Sequence, residues 1–258
     1  MTVKDNKLNL SYLISRMKSI LQRMHVAKHQ LPWNYFLMYT MSKGARRLLD
    51  RYLIPSFSQF GEDRVLSYFF QSQDRGFYVD VGCNHPVAYS NTWLLYLKGW
   101  NGIAIDANPA LIAQYQAVRR RDIAIVKAIS NKEECVDFFI PKDSPLTSGI
   151  GRKSSGHWKR AENNSSILRC NAQRLDSVLE ECNAPKNIDL LSIDVEGHEL
   201  KVLDSLDFDV YKPKIIVVEM HGFELDNPST SDVYMKLIQH NYKLIGYFAV
   251  NGFFALME

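Results

Sequence analysis

Apolar residues recur along this chain in two rhythms. Short continuous apolar runs, several of them closing on an acidic residue or a glycine, alternate with segments whose apolar residues return every three or four positions. Residues 77–81 and 103–105 belong to the first kind and predict buried strands, the first of them buried on both faces; residues 122–129, 188–193 and 214–218 predict further strands. Residues 135–140 predict one more short strand. Residues 93–97, 110–118, 173–182, 199–206 and 231–240 carry helical spacing. Pro109 suits the first turn of the second of these helices. Near the end, residues 242–250 and 253–256 flank Asn251-Gly252, a dipeptide that predicts a hairpin turn. The pattern is that of an α/β fold, with a mostly parallel sheet that finishes in an antiparallel hairpin.

Two further helical patterns come first, over residues 8–26 and 35–53, separated by Pro32. Ser58 is a candidate cap for a helix that follows it. Gln59, Glu62 and Asp63 then read either as a solvated helix start or as part of a turn that closes a ligand pocket. Residues 141–166 are polar and lack any apolar period, which predicts a lid or substrate loop. The expected organisation is a helical extension over residues 1–57 and one larger domain over 58–258.

Charge sharpens that division. Residues 1–54 hold ten Lys/Arg against two Asp/Glu, a net +8, whereas the whole chain carries only +3. The extension is therefore basic and the main domain mildly acidic, so nucleic-acid binding is not expected. The extension reads as a helical cap on the domain, with peripheral contact to an anionic membrane surface as the alternative. Cys83, Cys135, Cys170 and Cys182 form no CxxC pair. That leaves no zinc ribbon or disulfide framework and points to a reducing, cytoplasmic setting. No apolar run reaches the length of a membrane span.

The candidate chemistry gathers where strands end. Asp80 closes the first strand just before Gly82, Asp106 closes the second, and Asp194 closes the strand over 188–193. Ligands of open α/β sheets bind beyond the carboxyl ends of the strands. Three carboxylates from three strands would converge there. Gly82 admits close backbone approach, and an acid at the end of the second strand is placed to accept bonds from ribose hydroxyls.

Four stretches carry a resemblance: Ser58-Gln-Phe-Gly-Glu-Asp63, Tyr78-Val-Asp-Val-Gly82, Ile105-Asp-Ala-Asn-Pro109 and Ser192-Ile-Asp-Val-Glu-Gly-His-Glu199. Together with the terminal hairpin they resemble the FkbM family of methyltransferases, from about residue 58 to 256. The resemblance implies a class I, Rossmann-like methyltransferase sheet with S-adenosyl-L-methionine as cofactor. It places Asp80, Gly82 and Asn84 in the cofactor loop, Asp106 and Ala107 at the ribose, and Ala128, Ile129 and Ser130 beside the adenine. Asp194 falls next to the reactive methyl. The implied reaction is O-methylation of a sugar, glycan or related hydroxylated metabolite. Asn84-His85-Pro86 departs from the family pattern, which has further glycines there.

An alcohol is a poor nucleophile and gains from a general base. His198 and His221 follow strand ends and lead the candidates, with His85 third. Asp194 or Glu196 takes the role if burial raises its pKa. No metal is assigned, although Asp194, Glu196, His198 and Glu219 are able in principle to gather a divalent cation. The rival readings are a nicotinamide-dependent sugar dehydrogenase or epimerase, disfavoured by the missing GxGxxG, and a cofactor-binding module without catalysis.

Overall fold

The computed structural model describes residues 55–141, 149–150 and 165–257. The helical patterns over 8–26 and 35–53, the boundary of the extension and most of the predicted loop over 141–166 lie outside these residues.

Among the described residues, seven strands form the main sheet, and six α-helices lie between and before them. In order they are α1 (Glu62–Phe69), β1 (Phe77–Val81), α2 (Trp93–Lys98), β2 (Asn101–Asp106), α3 (Pro109–Val118) and β3 (Ile123–Val126). After a second, smaller sheet come α4 (Leu175–Glu181), β8 (Leu190–Ile193), α5 (Glu199–Asp204), β9 (Ile215–Glu219), α6 (Asp232–Gln239), β10 (Tyr242–Phe248) and β11 (Asn251–Leu256). The sheet order is β10-β11-β9-β8-β1-β2-β3. Strands β3, β2, β1, β8 and β9 run parallel, and β11 pairs antiparallel with both β9 and β10. This is a Rossmann-like α/β sheet with the antiparallel ending that the sequence predicts.

Alternation along each strand divides the core. Val79, Val81, Ile103, Ile105, Leu191, Ile193, Ile216 and Val218 face one side and pack with Leu179 of α4, Leu203 of α5 and Leu237 of α6. Tyr78, Leu190, Ile215 and Val217 face the other, against Leu66 of α1 and Trp93 and Tyr96 of α2. Both faces being covered explains why Ile215–Val218 of β9 reads as an unbroken apolar run. Local signals set the helix starts. Asn108 caps α3, its Oδ1 accepting from Ala110 N at 3.0 Å, with Pro109 behind it. Ser231 caps α6 through Tyr234 N at 3.2 Å. Among the described residues no helix is long and apolar enough to cross a membrane.

Several expectations change. The run over 122–129 is two strands, not one: β3 belongs to the main sheet, and β4 (Ala128–Ile129) to a second sheet, in which it lies beside β7 (Ser165–Gln173), then β5 (Glu134–Pro141) and β6 (Gly149–Ile150). Lys127 sits at the junction, its amide donating to Asp106 O at 2.9 Å. Strand β5 (Glu134–Pro141) matches the sequence reading, but β6 (Gly149–Ile150) and β7 (Ser165–Gln173) enter a stretch that lacked apolar period. β7 gains its order from pairing with β5 over eight residue pairs, and Ile167 on it is 62% exposed. The helix that predicts its start at Gln173 begins at Leu175.

The hairpin turn also moves. Phe248 pairs with Asn251, so Ala249 and Val250 make the loop, with Ala249 at φ 55°. Asn251 lies inside β11 because it is buried, and its Nδ2 donates to Glu62 Oε1 at 2.7 Å. Finally, Glu62 and Asp63 are buried rather than a solvated helix start. Asp63 gathers Ser56 Oγ, Phe57 N and Ser58 Oγ at 2.6–2.9 Å. Ser58 bonds that carboxylate and the Gly61 amide, while the N-cap position itself falls to Gly61 at φ 102°.

The Asn251–Glu62 bond joins the first described helix to the last strand. Asn251→Ala removes the donor and leaves a buried carboxylate oxygen short of a partner. We expect a loss of about 1–3 kcal/mol, seen in calorimetry as a fall in Tm of roughly 2–4 °C per kcal/mol.

Candidate active site

The turn after β1 is built on backbone contacts. Gly82, at φ 78°, donates its amide to Ile105 O at 2.9 Å, and Cys83 donates to the same oxygen at 3.1 Å. A Cβ on Gly82 would stand 1.8 Å from the Asp194 carbonyl oxygen. Glycine is therefore required by the neighbouring strand end, beyond any approach of a ligand. Asp194 N returns a bond to Val81 O at 3.0 Å. Asn84 follows at φ 50°, in the left-handed region that asparagine tolerates better than most side chains. That accounts for a chain that departs from glycine here and still makes the turn.

Asp106 joins this turn to the next. Its Oδ2 accepts from Asn84 N at 3.1 Å and its Oδ1 from Asn108 N at 2.8 Å. Burial pushes its pKa up to about 6, against the two amide donors, with the nearby Asp80 charge adding to the rise.

Beyond these strand ends lies a partly open cleft. Gly82, Asn84, Asp106, Ala107, Ala128, Ile129, Asp194 and Glu196 line it, all of them residues singled out from the sequence. Ala107, Ala128 and Phe138 also pack with Ala172 in one cluster, so the second sheet forms a wall of the cleft. Leu111, Lys127, Phe138 and Val195 line it as well. Sequence reading missed these. Lys127 looks like mid-strand, and Phe138 belongs to a strand whose partner carried no signal.

Other expected residues stand outside the lining. Asp80 is 5% exposed, behind the Gly82 turn, and its Oδ2 accepts from Thr92 Oγ1 at 2.7 Å. Ser130 is buried, its hydroxyl donating to Glu134 Oε1 at 3.3 Å. His198 occupies the cap position before α5. His221 is 56% exposed, with Nε2 at 3.0 Å from Glu219 Oε1. His85 turns its Nδ1 to the amides of Val87 and Ala88, at 3.1 and 3.0 Å, so that nitrogen is engaged within its own turn.

Asp194 is the most perturbed of the lining carboxyls. Burial first, then repulsion from Glu196, Glu199, Asp80 and Glu62, raises its pKa to about 7. Glu196 and Gly197 take successive positive φ values of 55° and 99° to turn the chain beside it. Glu196, Glu219 and His221 bring donor atoms within 4.8 Å of one another. An oxygen-rich set of this kind is chemically able to take a hard divalent cation, and it also orients the His221 imidazole. The expected quartet is thus regrouped: His221 joins Glu196 and Glu219 there, and Asp194 and His198 do not.

A family model, Methyltransferase FkbM domain, matches residues 80–244. The chain belongs to the FkbM methyltransferase family. Among solved structures, this FkbM-family member is similar to the methyltransferase FkbM of Methylobacillus flagellatus KT, at 12% identity and a TM-score of 0.45. The match covers 91% of this chain and 58% of that one, so the chain spans a little over half the length of that relative. Precorrin-6y C5,15-methyltransferase of Geobacter metallireducens GS-15 matches at 13% identity and a TM-score of 0.38, covering 80% of this chain and 90% of that one. No curated protein matches.

The raised pKa of Asp194 has a stability consequence. Its folded pKa of about 7 lies above the ordinary value of about 4. Ionisation therefore costs stability, fully above the folded pKa and not at all below the unfolded one. Asp194→Asn should raise Tm by several degrees at pH 8, on the order of a few kcal/mol. The gain should shrink as the pH falls below 7. Calorimetry at pH 8 and pH 5 checks both statements.

Proposed function

We propose that this methyltransferase uses S-adenosyl-L-methionine and methylates a hydroxyl of a sugar, glycan or related metabolite. The observation that carries the reading is the meeting of Asp106 and Asp194, from two strand ends, in one cleft behind Gly82. The donor chemistry of the cleft fits that cofactor. Asp106 has lone pairs left for ribose hydroxyls after accepting two amides. Ile105, Ala107, Leu111, Ala128, Ile129 and Phe138 offer apolar surface to a flat ring. Carboxylates at the far end suit a positively charged centre. When bound, the cofactor supplies an electrophilic methyl group on a sulfonium.

The residues of the chain then align the acceptor and take its proton. Asp194 lines the cleft, and its pKa near 7 leaves it partly ionised at neutral pH yet more basic than an ordinary carboxylate. It therefore displaces His198 and His221 as the favoured base, and neither histidine lines the cleft. Glu196 sits beside it as a hydrogen-bond acceptor for neighbouring hydroxyls. An acidic lining favours a neutral polyol over a phosphorylated acceptor, because like charges repel. That supports a sugar-like substrate.

Calorimetry with S-adenosylmethionine should show saturable binding, weakened about 10–100-fold by Asp106→Ala. NAD should give no heat; binding of NAD with none of S-adenosylmethionine would overturn the assignment. With an acceptor found in a panel of sugars, Asp194→Asn should lower kcat by about 10²–10⁴-fold while cofactor affinity moves little. In the unaltered enzyme kcat should fall tenfold per pH unit below about 7, as the base becomes protonated.

A further inference from the structure

Arg119, at the end of α3, is fully buried. A guanidinium in the interior costs several kcal/mol unless its donors are met. Here they are met almost entirely by one stretch of chain. Nε donates to Pro86 O at 2.7 Å, Nη2 to Ser90 Oγ at 2.6 Å and Nη1 to Thr92 Oγ1 at 2.8 Å. These three acceptors lie on the segment that leads from the Gly82 turn to α2. Asp122 forms an ion pair at 3.7 Å, and the rings of Trp93, Tyr96 and Tyr115 surround the guanidinium at 4.7–5.6 Å. Burial alone would lower the pKa of Arg119, but Tyr115, Tyr78, Asp122 and Asp80 outweigh it, so the charge is permanent.

Thr92 carries that charge inward. Arginine only donates, so a threonine oxygen that accepts from Nη1 must turn its single proton elsewhere. It donates to Asp80 Oδ2 at 2.7 Å. A second hydroxyl follows the same logic. Asn91 Nδ2 donates to Ser192 Oγ at 3.2 Å, and Ser192 bonds Asp80. Asp80 thus receives two hydroxyls, each oriented by a donor behind it, and both donors' routes pass through residues 91–92. Asp80 in turn acts electrostatically on Asp106 and Asp194, the two carboxyls of the cleft.

We infer that Arg119 is a positioning residue for the cofactor site, acting through the Thr92 hydroxyl to fix the segment after Gly82 and to hold Asp80 as a carboxylate behind the cleft. The inference rests on the S-adenosylmethionine reading above. Its physical content is that a cationic cofactor is bound by a negative cleft, part of whose field comes from a buried acid that would otherwise take up a proton. Burial raises the Asp80 pKa; Thr92, Arg119 and Ser192 oppose the rise. The charged or titratable groups around it are Arg119, Asp106, Asp194, Cys83 and Tyr115.

Arg119→Met risks unfolding, so the decisive variant is Thr92→Val, which keeps the shape and deletes the hydroxyl. Binding of S-adenosylmethionine to the full chain is measured by calorimetry from pH 6 to 9, for wild type, Thr92→Val and Thr92→Ser. Thr92→Val should weaken binding about ten-fold at pH 7. The ratio to wild type should narrow as the pH rises and Asp80 ionises again, and Thr92→Ser should restore it. Arg119→Lys should raise KM for the cofactor more than it lowers kcat. Unchanged affinity in Thr92→Val, or a deficit equal at every pH, overturns the inference and leaves the function reading intact. Absence of binding by the unaltered chain overturns both.

Discussion

The carbonyl of Asp194 and the Cα of Gly82 are pressed together where β1 and β8 end, so closely that a methyl group on Gly82 would stand 1.8 Å from that oxygen. Much of the site follows from this contact. It sets the two turns side by side and brings the Asp194 carboxyl to the lip of the same cleft as Asp106. Val81 O and Ile105 O, each accepting amides across the strand ends, lock the three neighbouring turns in register. The cleft is thus an outcome of sheet geometry, and its side chains are placed by backbone that has little freedom to move.

Crowding acids into that space works against folding. Asp106 and Asp194 have pKa values near 6 and 7 because burial and repulsion from neighbouring acids, Asp80 among them, disfavour their charged forms. The chain tolerates this in part through fixed dipoles. Backbone amides serve Asp106, and oriented hydroxyls serve Asp80. The one buried cation of this region, Arg119, stands behind the turn, among aromatic rings. Its influence reaches Asp80 through the Thr92 hydroxyl.

The main sheet was legible because both of its faces are covered. Runs such as Ile215–Glu219 announce themselves when every position is buried. The strand-end acids and Gly82 were legible for a related reason, since they interrupt those runs. The smaller sheet was legible only in β5, where Val136, Phe138 and Ile140 alternate; β7 depends on that strand as its partner, and β6 spans only two residues. Asn251-Gly252 misled through its turn propensity; burial and the bond to Glu62 outweigh that preference. The acids of the α1 start were ambiguous in sequence because a charged helix start is ordinarily solvated, and only the tertiary partners of Glu62 and Asp63 decide otherwise.

The smaller sheet has its own apolar cluster, sharing Ala107 and Ala128 with the cleft and little with the layers that flank the main sheet. Two structural tasks are thereby separated. Residues that hold the catalytic framework are not those that shape its outer rim. Drift, or an engineer, can recarve β5 and β7 to admit a differently shaped guest while the foundation beneath stays as it is.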